Sequence, residues 1–218
     1  MCFSIFLSII LILNSKIYSF EDENIELFEY SEIEKTLETV SSVSNLPDTN
    51  SKHIIAIDRE SKRILYEKDA FSKTPMASTT KILTAIIAIE ECNLDEEVSI
   101  SSNASKVSGS TLGISNGTKI PMKDLLYGLM LCSGNDCAVA IAEHIGENVD
   151  SFSSIMNNKA KELSLENSNY TSPHGLDDDN HYSTSYDLAI LSDYALRNNT
   201  FKKIVGTKET VVNIRQRN

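Results

Sequence analysis

Ala77-Ser78-Thr79-Thr80-Lys81-Ile82-Leu83 places a hydroxyl and an amine at the start of a long apolar run. Residues 82–89 are apolar on almost every side, which predicts a buried helix rather than a surface helix. Pro75 stands just before this run, where a helix can begin. On such a helix Ser78 and Lys81 lie on one side, about one turn apart, within reach of a hydrogen bond.

This pair has the chemistry of a nucleophile and its base. A serine hydroxyl is a poor nucleophile until a neighbouring group takes its proton, and an ammonium cannot take one. Burial among isoleucines and the positive end of the helix dipole both disfavour the charged form, so we expect Lys81 to be neutral. The alternative is a Ser/Thr-rich helix start followed by a snorkelling surface lysine, because S-x-x-K alone often occurs by chance.

A second stretch, Leu129-Met130-Leu131-Cys132-Ser133-Gly134-Asn135-Asp136, is a polar break between two apolar helical runs. Residues 121–131 form the first run and residues 138–145 the second. Ser133 and Asn135 would then project from the turn as a hydroxyl and an amide. Taken alone, the stretch equally fits a serine cap with Gly134 as a turn residue.

In this order the two stretches resemble the active-serine penicillin-binding family, whose signature motifs are S-x-x-K, S-D-N and K-T-G. The resemblance to low-mass D-alanyl-D-alanine carboxypeptidases runs from about His53 to the end of the chain. It rests on residues 58–68, 75–81, 131–136, 172–177, 181–184 and 187–189. It implies an α/β, β-lactamase/transpeptidase-like fold, in which an antiparallel sheet is flanked by helices and accompanied by an all-helical subdomain.

The resemblance also implies a serine-type D-Ala-D-Ala carboxypeptidase mechanism. Ser78 would attack the carbonyl between the two terminal D-alanines of a peptidoglycan stem peptide, with Lys81 as the base. Ser133 would pass the proton to the leaving amine, and Asn135 would hold the backbone amide of the substrate. The backbone N–H of Ser78 would supply half of an oxyanion hole. β-Lactam antibiotics mimic the acyl-D-Ala-D-Ala end and would acylate the same serine.

The sequence departs from the family at the third motif, because no Lys-Thr-Gly occurs in its 218 residues. Residues 117–119 and 206–208 carry those letters reversed. The family's third-motif strand, the other strands that complete the sheet and the closing helix are expected beyond Asn218, in a C-terminally truncated product. Two alternatives to an active carboxypeptidase are an inactive fragment and a serine β-lactamase of the same fold. The sequence Ser133-Gly134-Asn135 favours the carboxypeptidase over the β-lactamase.

The N-terminal third is expected to lie outside the catalytic domain. Residues 1–13 have the length of a signal-peptide core and are too short to span a bilayer comfortably. We therefore expect a signal peptide or anchor at 1–19, export to the extracytoplasmic face of the bacterial membrane or cell wall, and membrane contact through this segment only. A buried N-terminal strand or helix is the alternative. Residues 20–51 are expected to be an acidic and polar leader and linker, with a short amphipathic helix within 25–37.

The catalytic domain is predicted over residues 52–218. Residues 53–57 and 63–66 flank a polar turn and predict a β-hairpin. Three further strands are predicted at 97–101, 117–120 and 211–214. Two further helices are predicted at 152–163 and 187–196.

Composition and cysteine usage exclude some partners. A net charge of -11 leaves nothing to neutralise phosphates, so no nucleic-acid partner is expected.

Cys132 and Cys137 could form a disulfide, but buried free thiols are favoured. Cys132 is a weaker candidate nucleophile, because no histidine partner is evident. The four histidines have no metal-binding spacing, so neither a metal nor a cofactor is predicted.

Overall fold

The computed structural model describes residues 16–17, 28–29, 49–176 and 178–213. The chain divides into two compact units, Met1–Asn50 and Ser51–Asn218. In the first unit, strand β1 (Lys16–Ile17) pairs antiparallel with strand β2 (Phe28–Glu29). The amphipathic helix expected within 25–37 is therefore wrong at its Phe28 position, and its other residues lie outside the described part of the chain. The predicted signal-peptide core at 1–13 also lies outside it.

The second unit begins with the predicted hairpin. Strand β3 (Ile54–Ile57) pairs antiparallel with strand β4 (Ile64–Lys68). Polar residues close the turn, where the Asp58 carboxylate accepts hydrogen bonds from the backbone N–H and the hydroxyl of Ser61. These local bonds replace ladder bonds, which is why the chain reverses at residues 58–63.

A second antiparallel pair joins strand β5 (Glu97–Ser99) to strand β6 (Lys119–Pro121), as predicted. Val98 faces Ile120 across the pair and both side chains are buried. The strand predicted at 211–214 is wrong over residues 211–213, which form no strand. Val211 is 85% exposed, and the Asn213 N–H donates to the Asp124 carboxylate instead of to a neighbouring strand.

Six described helices follow the hairpin in chain order. They are α1 (Lys81–Glu91), α2 (Met122–Leu131), α3 (Asn135–Gly146), α4 (Val149–Glu162), α5 (Ser185–Ala195) and α6 (Asn199–Val205). The side chains of Asn148, Thr184 and Asn198 cap α4, α5 and α6 by accepting N–H groups of the first turn. The helices predicted from apolar periodicity are confirmed, whereas α6 was not predicted.

Helix α1 is the centre of the second unit. It packs against each of the other five described helices, so apolar side chains are needed all round it. Leu83, Ile86 and Ile87 are at most 1% exposed. Complete burial of such a side chain contributes roughly 1.5–3 kcal/mol. The predicted buried helix is therefore confirmed, and its position in the core fixes where its first residue, Lys81, can lie.

Membrane spanning can be assessed only for the described residues. No helix among them combines the length and the apolar composition that a bilayer crossing requires.

Candidate active site

Ser78 lies in a single turn of 3-10 helix, Ala77–Thr80, that leads directly into α1. The turn is tighter than the α-helix expected there, and Ala77 has a positive φ of 46°. Non-glycine residues rarely adopt this conformation, which tends to occur at functional sites where the surrounding structure enforces it. The turn therefore presents the Ser78 side chain at an exposed, constrained corner of the chain.

Gly175 packs directly against this turn from a distant part of the sequence. A Cβ atom on Gly175 would lie 1.9 Å from the Ala77 carbonyl oxygen and 2.5 Å from the Thr80 hydroxyl oxygen. Gly175 also has a φ of +84°, which favours glycine. Only a residue without a side chain allows this close approach of two backbones.

Lys81 is the first residue of α1 and is 2% exposed. Its Nζ lies 3.1 Å from Ser78 Oγ and donates to the His174 carbonyl oxygen at 3.0 Å. Burial lowers the pKa of Lys81 to about 8, since the charged ammonium loses its hydration. The predicted contact between the two side chains is confirmed, and the amine is partly neutral near physiological pH.

Ser133 lies in the turn between α2 and α3 and is the second hydroxyl of the site. Its φ is also positive, at 54°. Its Oγ donates a hydrogen bond of 3.0 Å to Ser78 Oγ. The Ser78 oxygen thus lies between an amine from α1 and a hydroxyl from the α2–α3 turn, both within hydrogen-bond distance.

Asn135 was expected to project from this turn, but it is the first residue of α3 and is 4% exposed. Its side-chain Nδ2 donates to the Ser108 carbonyl at 2.7 Å. Its backbone N–H donates to the Ser110 carbonyl, also at 2.7 Å. The loop that precedes β6 therefore fixes the orientation of the amide.

Sequence reasoning missed Asp136, whose carboxylate is 1% exposed. It accepts hydrogen bonds of 2.8–3.1 Å from the backbone N–H groups of three consecutive loop residues, Leu112, Gly113 and Ile114. It also accepts from the N–H of Cys137. An acidic residue in the first turn of a helix is a recognisable signal, but its loop partners are not.

His181 was also missed as a residue that supports the Ala77–Thr80 turn. Its Nδ1 accepts from the Thr171 N–H at 3.0 Å, so its Nε2 carries the hydrogen and donates to Thr80 Oγ1 at 2.7 Å. The Thr80 hydroxyl in turn donates to the Ala77 carbonyl. Burial lowers the pKa of His181, which keeps the imidazole neutral in this chain of hydrogen bonds.

An open pocket of about 630 Å³ adjoins the Ala77–Thr80 turn. Ala77, Gly175 and Leu176 form part of its wall, and Asp178 and Tyr182 contribute polar groups. Ala77 lines the pocket but Ser78 does not, so the pocket lies beside the Ser78 hydroxyl and not around it.

The cysteines of the site are free thiols. Cys137 is buried, as expected, but Cys132 is exposed, which corrects the prediction of burial for that residue. Cys132 is exposed because it follows the last residue of α2 and directly precedes Ser133 in the turn between α2 and α3.

Comparison with known proteins identifies the relatives of this chain. The family model of the D-alanyl-D-alanine carboxypeptidases, Peptidase_S11, matches residues 39–218. D-alanyl-D-alanine carboxypeptidase DacF of Bacillus subtilis is 34% identical over 164 residues, which are 73% of this chain and 42% of that protein. The D-alanyl-D-alanine carboxypeptidase of Streptomyces sp. K15 is 37% identical over 158 residues, which are 66% of this chain and 54% of that protein. The chain thus spans about half the length of these curated relatives.

Solved structures agree with the sequence comparisons. Penicillin-binding protein 5 from Haemophilus influenzae superposes with a TM-score of 0.73 at 30% identity, over 78% of this chain and 53% of that one. A mutant of the Streptomyces K15 DD-transpeptidase superposes with a TM-score of 0.72 at 34% identity, over 75% of this chain and 67% of that one. The predicted β-lactamase/transpeptidase-like fold is therefore confirmed.

Proposed function

The chain belongs to the D-alanyl-D-alanine carboxypeptidase family, and from this premise we propose that it acts as a serine-type carboxypeptidase on peptidoglycan stem peptides. The observation that carries the proposal is the position of Ser78 Oγ, 3.1 Å from Lys81 Nζ and 3.0 Å from Ser133 Oγ. A hydroxyl held between a partly neutral amine and a second hydroxyl is an activated nucleophile.

In the proposed acylation step, Ser78 Oγ attacks the carbonyl carbon of the bond between the two terminal D-alanines. The hydroxyl proton passes to the neutral amine of Lys81 as the new C–O bond forms. The C–N bond then breaks, and the amine of the departing D-alanine receives a proton through the Ser133 hydroxyl. Water hydrolyses the resulting ester and returns Ser78 to its starting form.

Asn135 is proposed to orient the substrate. Because its Nδ2 already donates to the Ser108 carbonyl, its Oδ1 is the atom that would accept a hydrogen bond from a substrate backbone N–H. A fixed acceptor at the start of α3 would align the peptide beside Ser78.

The proposed partners and location follow from this chemistry. The substrate is a stem peptide ending in D-Ala-D-Ala, and β-lactam antibiotics are expected to acylate Ser78 in its place. Because peptidoglycan lies outside the cytoplasmic membrane, we propose that the chain is exported and that residues 1–19 direct it there. The two curated relatives from Bacillus subtilis and Streptomyces are named carboxypeptidases, which favours this activity over the β-lactamase alternative.

Covalent labelling tests the proposal. After exposure to benzylpenicillin, the intact mass of the folded chain is expected to increase by one antibiotic molecule, and Ser78→Ala is expected to show no adduct. Ser115→Ala, which removes an exposed loop hydroxyl, is the matched control and should be labelled like the wild type. An adduct that persists in Ser78→Ala would identify a different nucleophile. A folded wild-type chain that is not labelled would refute the proposed activity.

A further inference from the structure

Three side chains with metal-ligating atoms meet at the end of α1 that is remote from Ser78. The Cys92 sulfur, a Glu96 carboxylate oxygen and a His144 ring nitrogen all lie within 4.8 Å of one another. His144 Nε2 is already 3.1 Å from Glu96 Oε1. Helix α1 has 11 residues, so this cluster lies roughly 16 Å from Lys81 and is separate from the site described above.

The fold holds the backbones of the three residues in place. Cys92 directly follows α1, and its N–H donates to the Ala88 carbonyl at 3.2 Å. Glu96 is held by two backbone bonds, one from its N–H to the Asn93 carbonyl and one from the Met122 N–H to its own carbonyl. His144 lies in the last turn of α3, which packs against both α1 and β5. The backbones that carry the three donor side chains are therefore held near one another by the fold itself.

We propose that Cys92, Glu96 and His144 form a binding site for a Zn²⁺ ion, with water as the fourth ligand. One sulfur, one imidazole nitrogen and one carboxylate oxygen are the donors that zinc uses in proteins. Tetrahedral bonds of about 2.0–2.3 Å place neighbouring donors about 3.3–3.8 Å apart. Side-chain rotations that move the donor atoms by about 1 Å would bring the three atoms to this spacing.

The electrostatic surroundings favour a cation at this position. Helix α1 ends at Glu91 and α3 ends at Gly146, so the partially negative carboxyl ends of two helices lie at the cluster. Zinc would bind Cys92 as the thiolate, so that an S–Zn bond forms and the thiol proton is released to solvent.

A zinc ion at this position would stabilise the fold. The ion would join the ends of α1 and α3, whose opposite ends carry Lys81 and Asn135. A ligand that binds only the folded chain raises its stability by mass action. Zinc is therefore expected to raise the melting temperature, and this effect does not depend on the proposed carboxypeptidase activity.

Calorimetric titration of the full chain, purified without a polyhistidine tag, tests the site with ZnCl₂ as the probe. One ion per chain is expected to bind. Cys92→Ser and His144→Asn should each weaken binding by about tenfold or more, and Glu96→Gln should weaken it in the same direction. Glu143→Gln is the matched control, because Glu143 precedes His144 and carries the same charge as Glu96 but bonds to Asn103. It should bind zinc as the wild type does.

Thiol labelling gives an independent readout. Zinc is expected to slow alkylation of Cys92 by about tenfold, as measured by peptide mass spectrometry, and to leave the exposed Cys132 unaffected. The protection should disappear in His144→Asn. A folded wild-type chain that binds no zinc would overturn the proposal. Equal affinity in the wild type, Cys92→Ser and His144→Asn would also overturn it, because the ion would then lie elsewhere.

Discussion

At the scale of a single residue, burial of Lys81 gives its amine the neutral fraction that a base needs. An unperturbed lysine has a pKa near 10.5, whereas that of Lys81 is lowered to about 8. At neutral pH about a tenth of Lys81 is then unprotonated, roughly 300-fold more than for an unperturbed lysine. The cost of burying the amine is offset by the packing of α1 around it, and the resulting neutral fraction is what the acylation step requires.

The rate of acylation by benzylpenicillin should therefore increase with pH and level off above about pH 8. The sign follows because the protonated amine cannot accept the Ser78 proton, and the fraction of neutral amine rises as pH passes its pKa. Quenched-flow mass spectrometry at a series of pH values measures this profile. Lys81→Arg stays charged at every accessible pH and should abolish labelling, whereas Lys106→Arg, at an exposed position in a short 3-10 helix, should not. A rate that stays flat across this range would contradict the role of Lys81.

At the scale of an element, the nucleophile turn 77–80 depends on the segment 171–183 that lies against it. The segment supplies the Gly175 backbone, the His174 carbonyl that accepts from Lys81, and the His181 ring that bonds to Thr80. A backbone pairing of Thr74 with Ser183 joins the same two parts of the chain. The strained conformation of Ala77 is therefore maintained by packing from outside the turn.

Gly175→Ala tests this support. The added methyl group would overlap the Ala77 carbonyl, so the variant should lose about 3 kcal/mol or more of unfolding free energy and most of its acylation rate. Gly113→Ala is the matched control, because Gly113 has a similar φ of +85° but open space around it. It should lose about 1 kcal/mol from backbone strain alone. Urea unfolding measures the free energy of unfolding of both variants. Equal losses of this free energy would show that the close approach of Gly175 to Ala77 does not contribute to stability.

At the scale of the whole Ser51–Asn218 unit, Asp193 joins the N-terminal hairpin to the helices. Its carboxylate, with the side chain 8% exposed, contacts Arg59 at 2.8 Å and Arg197 at 2.9 Å, and also bonds to Lys62. Arg59 and Lys62 lie in the hairpin turn, and Asp193 lies on α5, which packs on β3. The three cations hold the pKa of Asp193 well below its usual range.

Asp193→Asn should lower the free energy of unfolding by about 1–3 kcal/mol at neutral pH, because one neutral amide cannot replace these charge-assisted bonds. A carboxylate with a lowered folded-state pKa contributes stability above its unfolded pKa of about 4 and loses it as pH falls below that value. The variant should therefore lose less stability than the wild type on acidification below about pH 4. Chemical denaturation at neutral and acidic pH measures both effects.

Asp95→Asn is the control for this comparison. Asp95 pairs with Lys123 at 2.7 Å, but its side chain is 77% exposed. Surface pairs of this kind contribute little because water screens the charges and the side chains lose mobility. The control should unfold like the wild type. An Asp193→Asn variant that also unfolds like the wild type would contradict the proposed stabilising role of the Asp193 ion pairs.

Sequence alone was sufficient where the determinants are local. The apolar run after Lys81 predicts a buried helix, and two short apolar runs around a polar turn predict the β3–β4 hairpin. Both predictions are confirmed. The contact between Ser78 and Lys81 is also local, since residues three apart on a helical turn are neighbours whatever the rest of the chain does. The order of the two motifs could also indicate the family, because that order is a property of the sequence itself.

Tertiary structure decided the contacts between residues that are distant in the sequence. Ser133 contacts Ser78 across 55 positions of the sequence, and His144 contacts Glu96 across 48. Gly175 packs against Ala77 in the same way. Tertiary structure also left residues 211–213 outside any strand, although their apolar pattern favours one. Periodicity is a property of neighbouring residues that share backbone hydrogen bonds. Which distant side chains meet depends instead on how the apolar faces of separate helices and strands pack together, and no short stretch of sequence contains that information.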